Sequence, residues 1–174
     1  MPINLELKAK ITSPNKVLRT VRSIGNPAEE LAQTDTYFRV RKGRLKLRDV
    51  GERDGQLIFY ERNEEKGERW SKYTILRVSR MKEMKDVLTK AFGVDVVVKK
   101  RRQVYIYKRI ARIHIDRVAG LGRFIEFEVI HKGDRKGSLQ LYRELRKMFH
   151  IERRDIVRCS YADLIRKRTP RESF

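Results

Sequence analysis

The 174-residue sequence has few of the residues on which several protein classes depend. Its single cysteine, Cys159, excludes an intramolecular disulfide and a thiolate-rich metal site, and it fits a reducing compartment. No run approaches the roughly 18 apolar residues needed to span a bilayer, and the amino terminus lacks a signal-peptide pattern. These absences predict a cytoplasmic protein, with the nucleus kept as the alternative compartment.

Motifs of common enzyme classes are missing as well. The sequence contains no recognisable Ser-His-Asp arrangement, no Gly-rich Walker loop, no internal repeat and no low-complexity segment. His131 and His150 carry no readable signal, and a histidine in the position of His114 is more often structural than catalytic. The length fits one domain with a real core.

Positive charge is present in large excess. The chain has 43 Lys and Arg residues against 23 Asp and Glu, which gives a formal net charge of +20. The charged fraction of 38% lies well above the average for globular proteins. This imbalance implies an anionic partner, namely the phosphates of a small molecule, a nucleic acid or a membrane surface.

Hydrophobic periodicity predicts eight strands and a few helices. Ile3 to Ile11 alternates cleanly between apolar and polar residues, and Ser13-Pro14 opens a helix that ends near Gly25. Thr36 to Val50 reads as a hairpin with its turn at Lys42-Gly43. Further strands are predicted at 57–62, 69–78, 96–107, 111–118 and 123–130, with a loop at 63–67 and helices at 79–92, 138–149 and 160–167.

Two glutamates on the last strand attract attention. Glu126 and Glu128 alternate with large apolar residues, so both carboxylates share one face of the strand. Acidic residues are depleted in strands and repel one another on a shared face. The pattern makes physical sense if a cation or a field of basic groups faces them. The alternative is a solvent-exposed sheet face with scattered charges.

Basic residues repeat the same alternation on other strands. The sets that share a face are Arg39 with Arg41; Arg44, Lys46 and Arg48; Lys100 with Arg102; and Arg112, His114 and Asp116, whereas Lys99 and Arg101 point the other way. A sheet of this many strands tends to curl or close. We interpret the apolar faces as outward, covered by helices, and the charged faces as the lining of an interior. Solvated charge remains the alternative for any single position.

The chemistry of such an interior suits a triphosphate. Its oxygens match Arg forks and Lys point charges, whereas carboxylates would repel it unless Mg²⁺ or Mn²⁺ intervened. Glu6, Asp116, Glu126 and Glu128 supply oxygen ligands of the required type. A reaction at phosphorus then needs positioning and charge neutralisation more than a covalent nucleophile.

Several motifs together resemble a known family. Asn4-Leu-Glu6-Leu-Lys8 looks like the amino-terminal E-x-E-x-K signature of the CYTH proteins, or triphosphate tunnel metalloenzymes, which include class IV adenylyl cyclases and thiamine triphosphatases. The other matching segments follow in the family's order: 44–48, 60–62, 99–102, 116–128 and 161–165. The resemblance covers nearly the whole chain, as a single CYTH-like tunnel domain over residues 1–167 followed by a basic tail over 168–174.

The resemblance implies an α+β fold, built on a closed eight-stranded antiparallel β-barrel with flanking and carboxyl-terminal helices, that holds a triphosphate inside. It implies that Glu6, Glu126 and Glu128, with Asp116, hold Mg²⁺ or Mn²⁺, and that Glu6 and Lys8 face the acidic strand across the lumen. The expected phosphate ligands are Lys8, Arg39, Arg41, Lys46, Arg48, Arg62, Lys100, Arg102 and Arg112. Among all of these, Lys8, Arg62 and Glu128 are the catalytic candidates.

One residue departs from the family signature. Asn4 stands where the motif has its first glutamate, and an amide oxygen can ligate a hard cation but brings no charge. We therefore expect one metal to bind well and a second weakly, which titration calorimetry can test.

The favoured function is metal-dependent hydrolysis of an organic, inorganic or nucleotide triphosphate by a monomer or homodimer. Synthesis of cyclic AMP from ATP is the first alternative. RNA-end or polyanion binding with little or no catalysis is the second. It rests on basic residues outside the inferred lumen, such as Lys99, Arg101 and Arg153.

Overall fold

The computed structural model describes residues 2–51, 55–62 and 68–168, with the side chain of Arg62 also outside the description. Within these residues the chain forms eight strands, four α-helices and a 3-10 helix at Arg153–Asp155. The strands are β1 Ile3–Lys10, β2 Asn26–Phe38, β3 Arg44–Asp49, β4 Gly55–Arg62, β5 Arg69–Val78, β6 Val94–Tyr107, β7 Ala111–Val118 and β8 Gly122–His131. The helices are α1 Pro14–Ile24, α2 Met81–Phe92, α3 Arg135–Met148 and α4 Tyr161–Arg168.

The eight strands close on themselves. Their order around the barrel is β1-β5-β4-β3-β2-β6-β7-β8, and β8 pairs with β1 to complete the ring. Every neighbouring pair is antiparallel. The predicted fold, an eight-stranded antiparallel barrel with flanking helices, is confirmed.

The main hydrophobic core lies outside the ring, between the sheet and two helices. Leu5 and Leu7 of β1 and Phe127 of β8 point outward and are almost completely buried. Val21 of α1 and Leu145 of α3 belong to the same apolar cluster. Because this face is covered from outside, the alternate residues of each strand turn toward the interior. The interpretation of outward apolar faces is therefore confirmed.

Local sequence explains how the helices begin. Pro14 stands in the first turn of α1, where its missing N–H is no loss. The Asp134 side chain caps α3 by accepting a hydrogen bond from the Gly137 amide at 2.9 Å. At α4, the Ser160 amide donates to Asp163 Oδ2 at 2.9 Å, and the Asp163 amide donates to Ser160 Oγ at 3.1 Å. This reciprocal capping fixes the start of α4.

Strand β2 differs from the prediction, because it begins at Asn26 rather than Thr36. The stretch 26–32 is largely exposed and lacks apolar alternation, so periodicity gave no sign of a strand. Its conformation comes from pairing with β6, which runs from Asn26 opposite Ile106 to Phe38 opposite Val94. Long-range pairing therefore overrides local pattern here.

The predicted placement of Arg39 and Arg41 is wrong. Strand β2 ends at Phe38, and both arginines lie in the exposed connection before β3. The alternation of β2 does not continue through them, so they do not line the interior. The predicted loop at 63–67 falls outside the described residues. The predicted tail at 168–174 does so from residue 169 onward, since Arg168 is the last residue of α4.

No helix in the described part of the chain is both long and apolar enough to cross a bilayer.

Candidate active site

The interior of the barrel is a cavity of about 430 Å³ lined by residues from all eight strands. This volume lies in the range of small-molecule sites. Ser160 and Tyr161, at the start of α4, contribute to the lining. The charged lining side chains are Glu6, Lys8, Glu29, Lys46, Arg48, Lys100, Arg102, Arg112, Glu126 and Glu128, together with His114. The interior predicted from strand alternation is thus present.

A basic wall forms where β2, β3 and β6 are neighbours. The buried side chains of Lys46 and Lys100 and the partly buried side chain of Arg48 converge on the Asp35 carboxylate, which is only 1% exposed. The Arg48 guanidinium donates to both Asp35 oxygens at 2.7 and 2.9 Å. Lys46 Nζ lies 2.9 Å and Lys100 Nζ 3.3 Å from Asp35 Oδ2. One carboxylate therefore organises three cations.

Burial and charge act in opposite directions on this cluster. Burial would raise the pKa of Asp35, but the charges of Arg48, Lys100 and Lys46 hold that pKa well below its ordinary value. Burial and the nearby Arg48 charge lower the pKa of Lys46 to about 7, against the opposing effect of Asp35. Lys46 therefore loses its charge readily near neutral pH.

Asp35 was not predicted as a site residue, because the predicted hairpin began one residue later, at Thr36. Gln33 and Tyr37, which flank Asp35 in its row on β2, line the cavity. The alternation of Gln33, Asp35 and Tyr37 with Thr34 and Thr36 was the available signal.

An acidic wall lies on β1, β7 and β8. Glu126 stands opposite Lys8 on one side and His114 on the other, and Glu128 stands between Glu6 and Arg112. These are neighbours within the sheet, so the prediction that Glu6 and Lys8 face the glutamates across the lumen is wrong. The wall is instead continuous, because β8 pairs with β1 to close the ring.

Basic side chains keep the wall's glutamates ionised. Burial would raise the pKa of Glu126, but the nearby His114 ring and the charges of Lys8 and Arg102 hold the pKa well below the ordinary value. Burial would also raise the pKa of Glu128, but nearby His114 and the charge of Arg112 lower it. Both side chains therefore present carboxylate oxygens at neutral pH.

Asp116 lies deeper than the glutamates and has no exposure to solvent. Arg102 donates to its two oxygens at 2.7 and 2.6 Å and to Glu126 at 2.6 Å. The Tyr161 hydroxyl also donates to Asp116, at 2.8 Å. Asp116 was predicted as a metal ligand. Because its oxygens accept bonds from Arg102 and Tyr161, its position favours orienting Arg102 instead.

Helix α4 closes the site against Lys8. Lys8 Nζ lies 4.0 Å from the centre of the Tyr161 ring and donates to the Cys159 carbonyl at 3.2 Å. Arg44, in line with Lys46 on β3, turns to Asp163 at 2.7 Å and so ties β3 to α4. The sequence had shown only that 161–165 resembles a closing helix, and the ring of Tyr161 as part of the cavity wall was not foreseen.

The remaining predicted residues have distinct positions. Arg112 lines the cavity with its side chain 37% exposed, and its Nε lies 3.5 Å from Glu128. Arg62 ends β4 opposite Ser71, but its side chain is outside the described residues. Asn4 lines the cavity, and its Oδ1 has no hydrogen-bond partner among the described residues. The phosphate-binding and catalytic roles of all these residues stay predictions.

The donor set fits a divalent cation. One ligand atom each from His114, Glu126 and Glu128 lies within 4.8 Å of the others. Carboxylate oxygens are the ligands that Mg²⁺ and Mn²⁺ prefer. Buried Asn4 Oδ1 adds an oxygen to the same lining. Glu126 and Glu128 are thus the carboxylates that would hold the ion, and Glu6 stands beside Glu128 on the neighbouring strand.

Outside the barrel, Lys99 and Arg101 are exposed, as predicted. On this outer face Arg101 stands opposite Arg117, which stands opposite Arg123. Like charges in directly opposite positions destabilise a sheet. This arginine row is consistent with a polyanion at the surface, and RNA binding stays a prediction.

Replacing Asp35 by Asn should expose the role of the central counter-ion. Three buried cations would lose their shared carboxylate, so we expect the free energy of unfolding in urea to fall by about 3–5 kcal/mol. Metal-free tripolyphosphate should stabilise this variant more than the wild type, because the anion replaces the missing charge. The control Asp86→Asn, at an exposed position of α2, should stay within about 0.5 kcal/mol of wild type. Equal stabilisation of wild type and Asp35→Asn would contradict this account.

Lys46 should take up a proton when an anion binds. At pH 8 a side chain with a pKa of about 7 is mostly neutral, and phosphate charge favours its protonated form. Calorimetry of tripolyphosphate binding in buffers of different ionisation enthalpy should show uptake of up to about one proton more in wild type than in Lys46→Arg. The difference should shrink below pH 7, where Lys46 is already charged. Identical proton uptake by both proteins at pH 8 would refute the assignment.

Comparison with solved structures shows that other proteins share this fold. Solved structures with a similar fold include a conserved hypothetical protein from Pyrococcus furiosus, which is 25% identical with a TM-score of 0.82 over 92% of this chain and 99% of that one. A candidate adenylate cyclase from Vibrio parahaemolyticus is 21% identical with a TM-score of 0.74, covering 94% of this chain and 98% of that one. HpAC1 from Hippeastrum, a candidate adenylyl cyclase with a dominant triphosphatase activity, is 14% identical with a TM-score of 0.69 over 100% of both chains.

The sequence itself gives the family. Comparison with curated proteins finds no match. The CYTH domain model, in contrast, matches residues 2–161, which includes every strand of the barrel and the first residue of α4. The chain therefore belongs to the CYTH domain family.

Proposed function

We propose that this protein hydrolyses a triphosphate inside the barrel with the help of a divalent cation, releasing orthophosphate and a diphosphate. The observation that carries the proposal is the presence of two walls of opposite charge in the cavity of one barrel. Lys46, Arg48 and Lys100 converge on one side, and Glu126 and Glu128 lie on the other. The dominant triphosphatase activity of HpAC1, a protein of the same fold, agrees with this assignment.

The basic wall is suited to hold the phosphate chain. Arg48 uses two of its five N–H donors on Asp35, so its other donors can meet phosphate oxygens in the cavity that it lines. The ammonium groups of Lys46 and Lys100 add positive charges that can neutralise successive phosphates of the chain. All three side chains belong to a rigid sheet, so little ordering is needed when the anion binds.

The acidic wall is suited to the other half of the reaction. A divalent cation bound there would neutralise phosphate charge and polarise the bond that breaks. Arg102 and Lys8 hold Glu126 in place, and Arg112 lies beside Glu128 at the more accessible position. We propose that Glu128 orients a water molecule toward the terminal phosphorus. The water oxygen bonds to that phosphorus while the bridging P–O bond breaks. The diphosphate leaves with the bridging oxygen, and the proton of the water passes to the solvent.

Cyclisation of ATP is a second candidate because part of the cavity lining is apolar. Leu31, Ile75, Val104 and Ile106 line the cavity and could accommodate a nucleobase. In that reaction the 3′ hydroxyl attacks the α-phosphorus, and pyrophosphate leaves. The candidate cyclase from Vibrio parahaemolyticus has the same fold.

A substrate panel tests the proposal. Tripolyphosphate, thiamine triphosphate, nucleoside triphosphates and 5′-triphosphorylated RNA are incubated with Mg²⁺ or Mn²⁺, and the products are identified by chromatography. We expect orthophosphate without cyclic AMP from at least one substrate. Cyclic AMP and pyrophosphate from ATP would favour the cyclase, and no turnover of any member would contradict both.

Glu128→Gln should distinguish activity of this site from activity of a contaminating enzyme. The substitution keeps the shape of the side chain but removes its charge, so we expect kcat/KM on the best substrate to fall about 100-fold or more. The matched control Glu83→Gln, at an exposed position of α2, should leave the rate unchanged. Full activity in Glu128→Gln would place the reaction elsewhere.

A further inference from the structure

We infer that His114 is a nitrogen ligand of the metal site, and that the site therefore binds Mn²⁺ and Co²⁺ in preference to Mg²⁺. The inference rests on the proposed function only in requiring that a divalent cation enters the tunnel. It assigns a role to a residue that periodicity alone placed among structural histidines.

The position of His114 follows from strand register. It stands directly opposite Glu126 in the β7–β8 pair and lines the cavity. Its Nδ1 lies 3.8 Å from Glu126 Oε2 and 3.9 Å from Glu128 Oε1. Both distances are too long for hydrogen bonds. They suit three ligand atoms around one ion, since each atom would lie about 2.0–2.2 Å from the metal.

His114 is also a buried polar group that no neighbour satisfies. Its side chain is only 4% exposed, and Nδ1 has no hydrogen-bond partner among the described residues. A buried nitrogen without a partner carries a free-energy penalty. An ion between His114 and the two glutamates would remove that penalty and would neutralise part of their repulsion.

The neighbouring cations leave room for this ion. Arg102 donates to Glu126 Oε2, and Arg112 lies 3.5 Å from Glu128 Oε2. A carboxylate offers about four lone-pair sites, so these contacts do not exhaust either group.

Ligand chemistry then sets the metal preference. Mg²⁺ favours sites made of oxygen ligands alone, whereas imidazole nitrogen suits first-row transition metals. For a mixed nitrogen and oxygen site the affinity rises from Mn²⁺ to Co²⁺. Carboxylates alone also bind these metals, so it is the loss of the preference when His114 is replaced that reports on the imidazole.

Metal binding without any triphosphate provides the test. Titration calorimetry with Co²⁺, Mn²⁺ and Mg²⁺ alone should give the tightest Kd for Co²⁺. We expect His114→Gln to weaken Co²⁺ and Mn²⁺ binding about 10- to 100-fold and Mg²⁺ binding less than about 3-fold. The matched control His131→Gln alters a histidine that contacts Ser138 and Trp70 instead, and it should leave all three Kd values unchanged.

Pulsed electron paramagnetic resonance of Mn²⁺-loaded wild type gives a direct reading. Coupling of Mn²⁺ to a ¹⁴N nucleus is expected in the wild type and in His131→Gln. Absence of this coupling from the wild type would overturn the inference, and that result does not require His114→Gln to fold. Equal weakening of all three metals in His114→Gln, or no metal binding by the wild type, would overturn it as well. Because no hydrolysis is measured, nitrogen coupling in an inactive protein would refute the proposed function and leave the inference standing.

Discussion

Mutual neutralisation of buried charge is the interaction on which this structure depends. An isolated carboxylate or ammonium inside a protein is prohibitively unstable, and a buried charge persists only when it is paired and hydrogen-bonded. Asp35 meets this condition by binding three cations, and Arg102 meets it by bridging Asp116 and Glu126. The closed sheet can turn its charged face inward only because these pairs exist.

The same pairing prepares the cavity for an anion. Asp35 holds Lys46, Arg48 and Lys100 at hydrogen-bond distance from one point. A phosphate group placed near that point meets donors whose positions are already determined, which lowers the entropy lost on binding. On the opposite wall, Arg102 restrains Glu126, while Asp116 and Tyr161 restrain Arg102. Helix α4 takes part in the site through this chain of contacts.

Strand alternation explains how much of this could be predicted from the sequence. It correctly placed Lys46 and Arg48 inside, because they alternate with Leu45 and Leu47 on β3. It also placed Lys100 and Arg102 inside, in line with Val104 and Ile106 on β6. It failed at Arg39 and Arg41, since nothing in the alternation shows where β2 ends. It also missed residues 26–32, whose strand conformation depends on β6, a partner far away in the chain.

Neighbours around the ring could not be predicted in the same way. Alternation assigns a residue to a face of its own strand. The position of Glu6 beside Glu128, in contrast, follows only from the pairing of β8 with β1. Asp35 and His114 were missed for a related reason. Each looks unremarkable in its own strand and gains its meaning from side chains on adjacent strands, three cations for Asp35 and two carboxylates for His114.

The charge balance of the acidic wall bears on the order of binding. Glu6, Asp116, Glu126 and Glu128 bring four formal negative charges, and Lys8, Arg102 and Arg112 bring three positive charges. Asn4 adds an oxygen without a charge. The formal charges therefore leave a small negative excess, which attracts a dication together with the ligand atoms. A bound triphosphate would add further negative charge, so cation and anion would each strengthen the binding of the other, as reciprocal linkage requires.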